Sequence, residues 1–281
     1  MSAGSVSRPP GFWANLLRRL ATAAIALPLL LATLFLGPPA AFVSLVVVVL
    51  LLALFEIFAL LRARALEPMV VPGFLVGGAI FSSVALPAWS GAPLWPVATC
   101  VLLVATLRRA AMPARAIPSA AATLLGVTYL GALGGALAGL RVLEPLQDGA
   151  WRVMLLLAVI MCSDTMAFLV GHAVGRRRLA PALSPGKTVE GAFGGLLGGV
   201  LGALAVRHLG LGSLSLPAVV LLGLLVAGAG MLGDLFESLL KRWAGVKDSG
   251  AVFPGHGGAL DRLDSLLFGA PVLYYFFFHL R

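Results

Sequence analysis

Apolar and polar stretches alternate along this chain with a long period. Apolar windows run near residues 20–36, 40–61, 69–88, 93–107, 117–140, 151–172, 189–206, 217–240 and 263–280, and the segments between them hold most of the charge. A helix needs about 20 apolar residues to cross a bilayer, so the pattern predicts about nine spans, with soft ends where windows are short or carry Pro or Gly. Helices satisfy their own backbone groups in lipid. The expected fold is therefore all-α, a polytopic transmembrane helix bundle. Ahead of the first window, Phe12, Trp13, Leu16, Leu17 and Leu20 recur at near-helical spacing beside Arg18 and Arg19, as in a short helix lying among headgroups. The run from Leu20 to Leu36 is long enough to span, which makes it an uncleaved first helix rather than a signal peptide.

Charge adds an orientation. With the N-terminus inside, the cytoplasmic segments hold Arg8, Arg18, Arg19, Arg62, Arg64, Arg108, Arg109, Arg115, Arg176, Arg177, Arg178, Lys187, Lys241, Arg242, Lys247 and Arg262, sixteen of the twenty Lys and Arg. Arg141, Arg152, Arg207 and Arg281 fall on the other side, a split that suits nine spans, N-in and C-out. The net charge of +9 would suit nucleic acid, but these cations are dispersed between apolar runs, so no nucleic-acid partner is expected. With 60% hydrophobic and 11% charged residues, water is not the main solvent. Cys100 and Cys162 stand alone in apolar stretches, which excludes a disulfide framework and a cysteine zinc site. The glycine tracts Gly131, Gly134, Gly135, Gly139 and Gly191, Gly194, Gly195, Gly198, Gly199 read as close helix-packing faces.

Acidic residues are unevenly placed. Glu56, Glu67, Glu144 and Asp148 are scattered, while the other seven of eleven fall between Asp164 and Asp264. A carboxylate at mid-bilayer costs roughly 2.5–3.5 kcal/mol, less near an interface, so Asp164, Asp234 and Glu237 need partners or a task. Asp234, Glu237, Ser238 and Lys241 follow i, i+3, i+4, i+7 and share one helix face. A Glu237–Lys241 ion pair would account for two of them and leave Asp234 over. Downstream, Gly257 and Gly258 allow backbone to approach a phosphate closely just before a helix N-terminus. Asp261 and Asp264, three apart, could reach one cation together, or could complement the helix dipole. Lys247, Asp248 and His256 crowd the same stretch, a set that suits Mg²⁺ holding a polyphosphate, with His256 contacting phosphate rather than zinc. In Gly186, Lys187, Thr188 the end of a Walker A loop is visible, but the first required Gly would fall at Pro181. Lys187 is then either a phosphate contact or an ordinary positive-inside lysine.

Together these residues resemble the phosphatidate cytidylyltransferase family. Its signature runs S, x, apolar, K, R, four free positions, K, D, x, small, two free, apolar, P or G, x, H, G, G, apolar, x, D, R, apolar, D. Ser238 to Asp264 reads SLLKRWAGVKDSGAVFPGHGGALDRLD, departing only at Ala259, where a larger aliphatic is usual. Ser163, Asp164, Thr165, Ala167, Phe168 and the run from Leu179 to Gly191 are similar to a second block, with Met166 and Val189 in place of the usual Gly and Trp.

The resemblance implies CTP and phosphatidate as substrates and CDP-diacylglycerol and pyrophosphate as products. It implies Asp234, Asp261 and Asp264 as metal-binding, catalytic carboxylates with Lys241, and Mg²⁺ as cofactor; a second metal ion and a homodimer stay open. Substrate contacts are expected from Ser238, Lys187, Arg242, Lys247, Asp248, His256, Gly257, Gly258, Arg262 and Asp164. Arg176, Arg177 and Arg178 either set orientation or collect an anionic headgroup. Residues 1–19 form an interfacial segment, 20–140 amino-terminal spans and 141–281 the catalytic region, in a bacterial cytoplasmic membrane with the site facing the cytoplasm. Two rival readings are weaker. A cation-coupled transporter leaves the HGG to DRLD cluster unexplained, and the DG, AR, G, D, D motif of CDP-alcohol phosphatidyltransferases is absent.

Overall fold

A computed structural model describes residues 24–25, 28–89, 92–109, 111–250, 252 and 257–280. The order is α1 (Pro39–Arg62), α2 (Val70–Ala85), α3 (Leu94–Leu107), α4 (Pro113–Val142), α5 (Gly149–Val174), β1 (Arg178–Ala180), β2 (Ser184–Thr188), α6 (Val189–Leu209), α7 (Leu216–Ala244) and α8 (Leu260–His279). Each apolar window from 40–61 onward thus coincides with a helix. Of the first window, residues 24–25 and 28–36 are described and helical, while the proposed headgroup helix lies entirely outside the described residues. Among the described residues five segments are long and apolar enough to cross a membrane: α1, α4, α5 with the turn before it, α6 and α7. At 1.5 Å per residue, the 16-residue α2 and 14-residue α3 reach only about 24 and 21 Å.

Helix ends follow local chemistry rather than hydropathy. Pro113 opens α4 four residues ahead of its apolar window, where a missing N–H costs nothing. At the other extreme α7 continues through Lys241 and Arg242, cations that suit a helix C-terminus, and stops at Gly245, whose φ of 79° is left-handed. The link between α5 and α6, which the sequence presents as a loop, is an antiparallel hairpin pairing Arg178 with Thr188 and Ala180 with Ser184. Its strands lack any apolar alternation, so periodicity could not reveal them.

Helix α4 packs on α1, α2 and α8, while α5 lies along α6, and α7 joins α6 to α8. Both glycine tracts are packing faces. A Cβ at Gly135 would come 3.0 Å from the Phe81 carbonyl oxygen, and one at Gly194 would come 3.1 Å from that of Met166. Large apolar side chains remain on the outside, among them Phe55, Leu75, Phe193, Leu197, Leu201 and Leu225, as a lipid-facing surface requires. At the start of α5, Arg152 is buried, donates to the Leu143 carbonyl at 2.5 Å and lies over the Phe277 ring, tying the α4–α5 turn to α8.

Candidate active site

The last turns of α7 and the first turns of α8 meet at Gly233, where a Cβ would strike the Asp264 backbone oxygen. That close approach gathers the acidic residues. Ligand oxygens of Asp234, Glu237 and Asp264 all lie within 4.8 Å of one another. Such a group of hard oxygen donors suits a divalent cation. Glu237 carries the strongest sign of fit: its residue is 1% exposed, yet Oε1 has no hydrogen-bond partner among the described residues. A buried acceptor without a donor is costly unless something positive meets it.

Cations surround this group. Lys187 Nζ lies 2.5 Å from Asp234 Oδ2. The same aspartate accepts from Ser238 Oγ at 3.4 Å. Lys241 Nζ sits 2.8 Å from Glu237 Oε2 and 2.6 Å from Asp261 Oδ1. The Glu237–Lys241 pair expected as the bland alternative is therefore present, but the lysine bridges two helices. Asp264 Oδ1 accepts from the Ser265 amide at 2.6 Å.

Asp261, expected as a ligand alongside Asp234 and Asp264, lies outside the group of three. Besides Lys241, its carboxylate accepts from Ser249 N, Ser249 Oγ and Gly258 N at 3.0, 3.0 and 2.8 Å. Glu237 stands in that group beside Asp234 and Asp264. Its i, i+3 spacing from Asp234 was visible in the sequence, but Lys241 at i+4 accounted for it there. Gly257 adopts φ 80°, the left-handed region open to glycine, and a Cβ there would come 2.6 Å from Asp261 Oδ2.

A cavity of about 640 Å³ reaches Asp234 of this group, lined also by Asp164, Phe168, His172, Arg178, Lys187 and Met231 among others. That volume falls in the roughly 300–1,000 Å³ range of small-molecule sites. The hairpin supplies one wall, and three sets of contacts fix it there. Thr188 Oγ1 accepts from Gly191 N at 3.1 Å, capping α6. Glu190 accepts from the Arg176 and Arg177 amides at 3.0 and 3.2 Å. Arg242 Nε reaches the Leu183 carbonyl at 3.4 Å. Lys247, Asp248 and Arg262 are exposed. His256 lies outside the described residues.

Residues 17–280 match the cytidylyltransferase family. The chain belongs to that family. As a cytidylyltransferase it is similar to a Synechocystis protein named phosphatidate cytidylyltransferase, 47% identical over 137 residues, 47% of this chain and 45% of the relative. A Staphylococcus epidermidis protein of the same name is 36% identical over 154 residues, 55% of this chain and 57% of the relative. An Escherichia coli protein named uncharacterized protein YnbB is 46% identical over 131 residues, 47% of this chain and 44% of the relative. The chain spans about half the length of the relatives it matches.

Glu56, like Glu237, stands beside the site without having been expected there. It lies on α1, 7% exposed, and accepts from Ala259 N, Leu260 N and Ser249 Oγ, each at 2.9 Å. Its one sequence signal was a carboxylate inside an apolar window, and nothing nearby in the chain named its partner.

Proposed function

We propose that this cytidylyltransferase joins CTP to phosphatidate, releasing pyrophosphate and leaving CDP-diacylglycerol in the membrane. The observation that carries the reading is the carboxylate group of Asp234, Glu237 and Asp264, braced by Lys187 and Lys241 beside a cavity, within a member of this family. The names of the Synechocystis and S. epidermidis relatives support the substrate assignment.

In this reading, a phosphate oxygen of the lipid forms a bond to the α-phosphorus of CTP while the bond from that phosphorus to the bridging oxygen breaks. Pyrophosphate carries away the electron pair. The nucleophile is already anionic near neutral pH, so positioning and charge neutralisation outweigh a general base. Asp234, Glu237 and Asp264 would hold Mg²⁺, which when bound offsets charge on the triphosphate and on the leaving group. Lys187 and Arg178 offer further positive charge on the cavity wall, and Lys241 holds α7 and α8 together through Glu237 and Asp261. Thr188 and Glu190 keep the hairpin, and with it Lys187, in place.

Topology belongs to the same proposal: about nine spans, N-in and C-out, in a bacterial cytoplasmic membrane, with CTP arriving from the cytoplasm and the acyl chains staying in lipid. Residues 141–281 carry most of the chemistry and 20–140 the scaffold. The test is purified protein in detergent with CTP, phosphatidate and Mg²⁺, followed for pyrophosphate and CDP-diacylglycerol together. Both products in equal amounts are expected. Folded protein that makes neither would overturn the reading.

A further inference from the structure

A carboxylate from helix α1, distant in sequence from the residues the chemistry uses, enters the turn that leads into α8. The first N–H groups of a helix have no partner within it, and Ala259, at the N-cap, makes no side-chain cap bond. Glu56 supplies the acceptor instead, taking the Ala259 and Leu260 amides on its two oxygens. The Ser249 hydroxyl lies 2.9 Å from Glu56 and 3.0 Å from Asp261, so it links the capping carboxylate to the one that holds Lys241.

The fit is tight. A Cβ at Gly250 or at Gly258 would strike the Glu56 carboxylate. Eight residues further along the chain, Arg64 Nε donates to the Trp243 carbonyl in the last turn of α7. One stretch of α1 and its C-terminal turn thus holds both ends of the connection between α7 and α8, with an anion at a helix N-terminus and a cation at a helix C-terminus, as the helix dipoles favour.

We propose that Glu56 is a positioning residue for the cytidylyl transfer: by capping α8 it sets where Asp261 and Asp264 stand relative to Asp234 and Glu237. This rests on the reaction proposed above. Glu56 itself touches none of the reacting groups. Gln in its place keeps the shape but offers one acceptor oxygen and turns an N–H₂ toward a backbone N–H.

The test uses the full chain in detergent micelles and reads hydrogen exchange first. In Glu56→Gln, exchange of the Ala259 and Leu260 amides should quicken by about tenfold, as loss of one hydrogen bond implies, while helix α5 keeps its protection. Half-saturating Mg²⁺ should rise by roughly tenfold, the scale seen when groups that orient a metal's ligands are changed, with the phosphatidate KM unmoved. A role in folding alone would lower the active fraction and leave the Mg²⁺ midpoint where it is; that result, or unchanged exchange at 259 and 260, overturns the proposal. Should Glu56→Gln fail to fold, Glu56→Asp replaces it, a carboxylate one methylene too short to reach both amides. It should quicken exchange at 259 and 260 and raise the Mg²⁺ midpoint in the same direction, and quickened exchange with an unmoved midpoint would overturn the proposal. If wild-type protein makes no CDP-diacylglycerol, the reaction falls, and the exchange result still decides whether Glu56 fixes the start of α8.

Discussion

Lys241 on α7 and Asp261 on α8 are joined Nζ to Oδ1 at 2.6 Å, and the same nitrogen holds Glu237 at 2.8 Å. One ammonium therefore bridges two carboxylates and pins the end of one helix to the start of the next. Removing it should cost both structure and rate. Breaking a buried pair by deleting one partner costs about 3–5 kcal/mol. Lys241→Met should lower the thermal midpoint in detergent and reduce turnover by roughly 10²-fold or more. Unchanged CTP kinetics in correctly inserted Lys241→Met would remove this lysine from the site.

The two acids that Lys241 bridges should fail differently. Glu237→Gln removes a charge from the group of three, so half-saturating Mg²⁺ should rise by at least about tenfold. Asp261→Asn disturbs the lysine and the Ser249 and Gly258 contacts, and turnover should fall by about 10²-fold at every Mg²⁺ concentration. Helix-dipole complementation alone predicts only about 0.3–1 kcal/mol of lost stability and a near-normal rate for Asp261→Asn. Titrating activity against Mg²⁺ in membranes of matched expression separates these outcomes.

Two glycines provide a contrast in packing. Gly258→Ala would push against Ser249 Oγ and Glu56, whereas a Cβ at Gly186 meets nothing within 4 Å. The first should destabilise by about 1–3 kcal/mol, as overpacking does, and the second by less than about 0.5 kcal/mol. Melting curves of the two variants beside wild type make the comparison. Similar midpoints would mean that the turn before α8 is looser than its contacts imply.

Orientation can be read with single cysteines in protein lacking Cys100 and Cys162. Cysteines at Arg64, Arg115, Arg177 and Val246 should react with an impermeant reagent from the cytoplasmic side alone, and one at Asp148 from the opposite side. Labelling of position 177 from outside would separate the hairpin from cytoplasmic CTP and undo the topology.

Much of this arrangement could be read from the chain. Apolar windows located eight helices because lipid imposes a long, simple signal, and the i, i+3, i+4, i+7 spacing from Asp234 to Lys241 put the polar face of α7 on record. Three things escaped. Hairpin strands of three and five residues with no apolar alternation leave no period to find. Spacing alone could not decide that Asp261 would turn toward Lys241 and Ser249 while Glu237 joined Asp234, since both choices sit on the same faces. Glu56 finds its partners by tertiary contact, and a lone carboxylate in an apolar window names none of them.

The Glu56 cap also bears on how the chain is made. Its backbone donors lie 203 and 204 residues downstream. At roughly 5–20 residues per second of synthesis, on the order of 10–40 s pass between the emergence of α1 and that of α8. Throughout that interval the carboxylate has none of its final donors, and each step of insertion takes place with an acidic group still waiting in the first half of the protein. The surroundings of a residue placed early, on α1, are therefore completed only once α8 has been made.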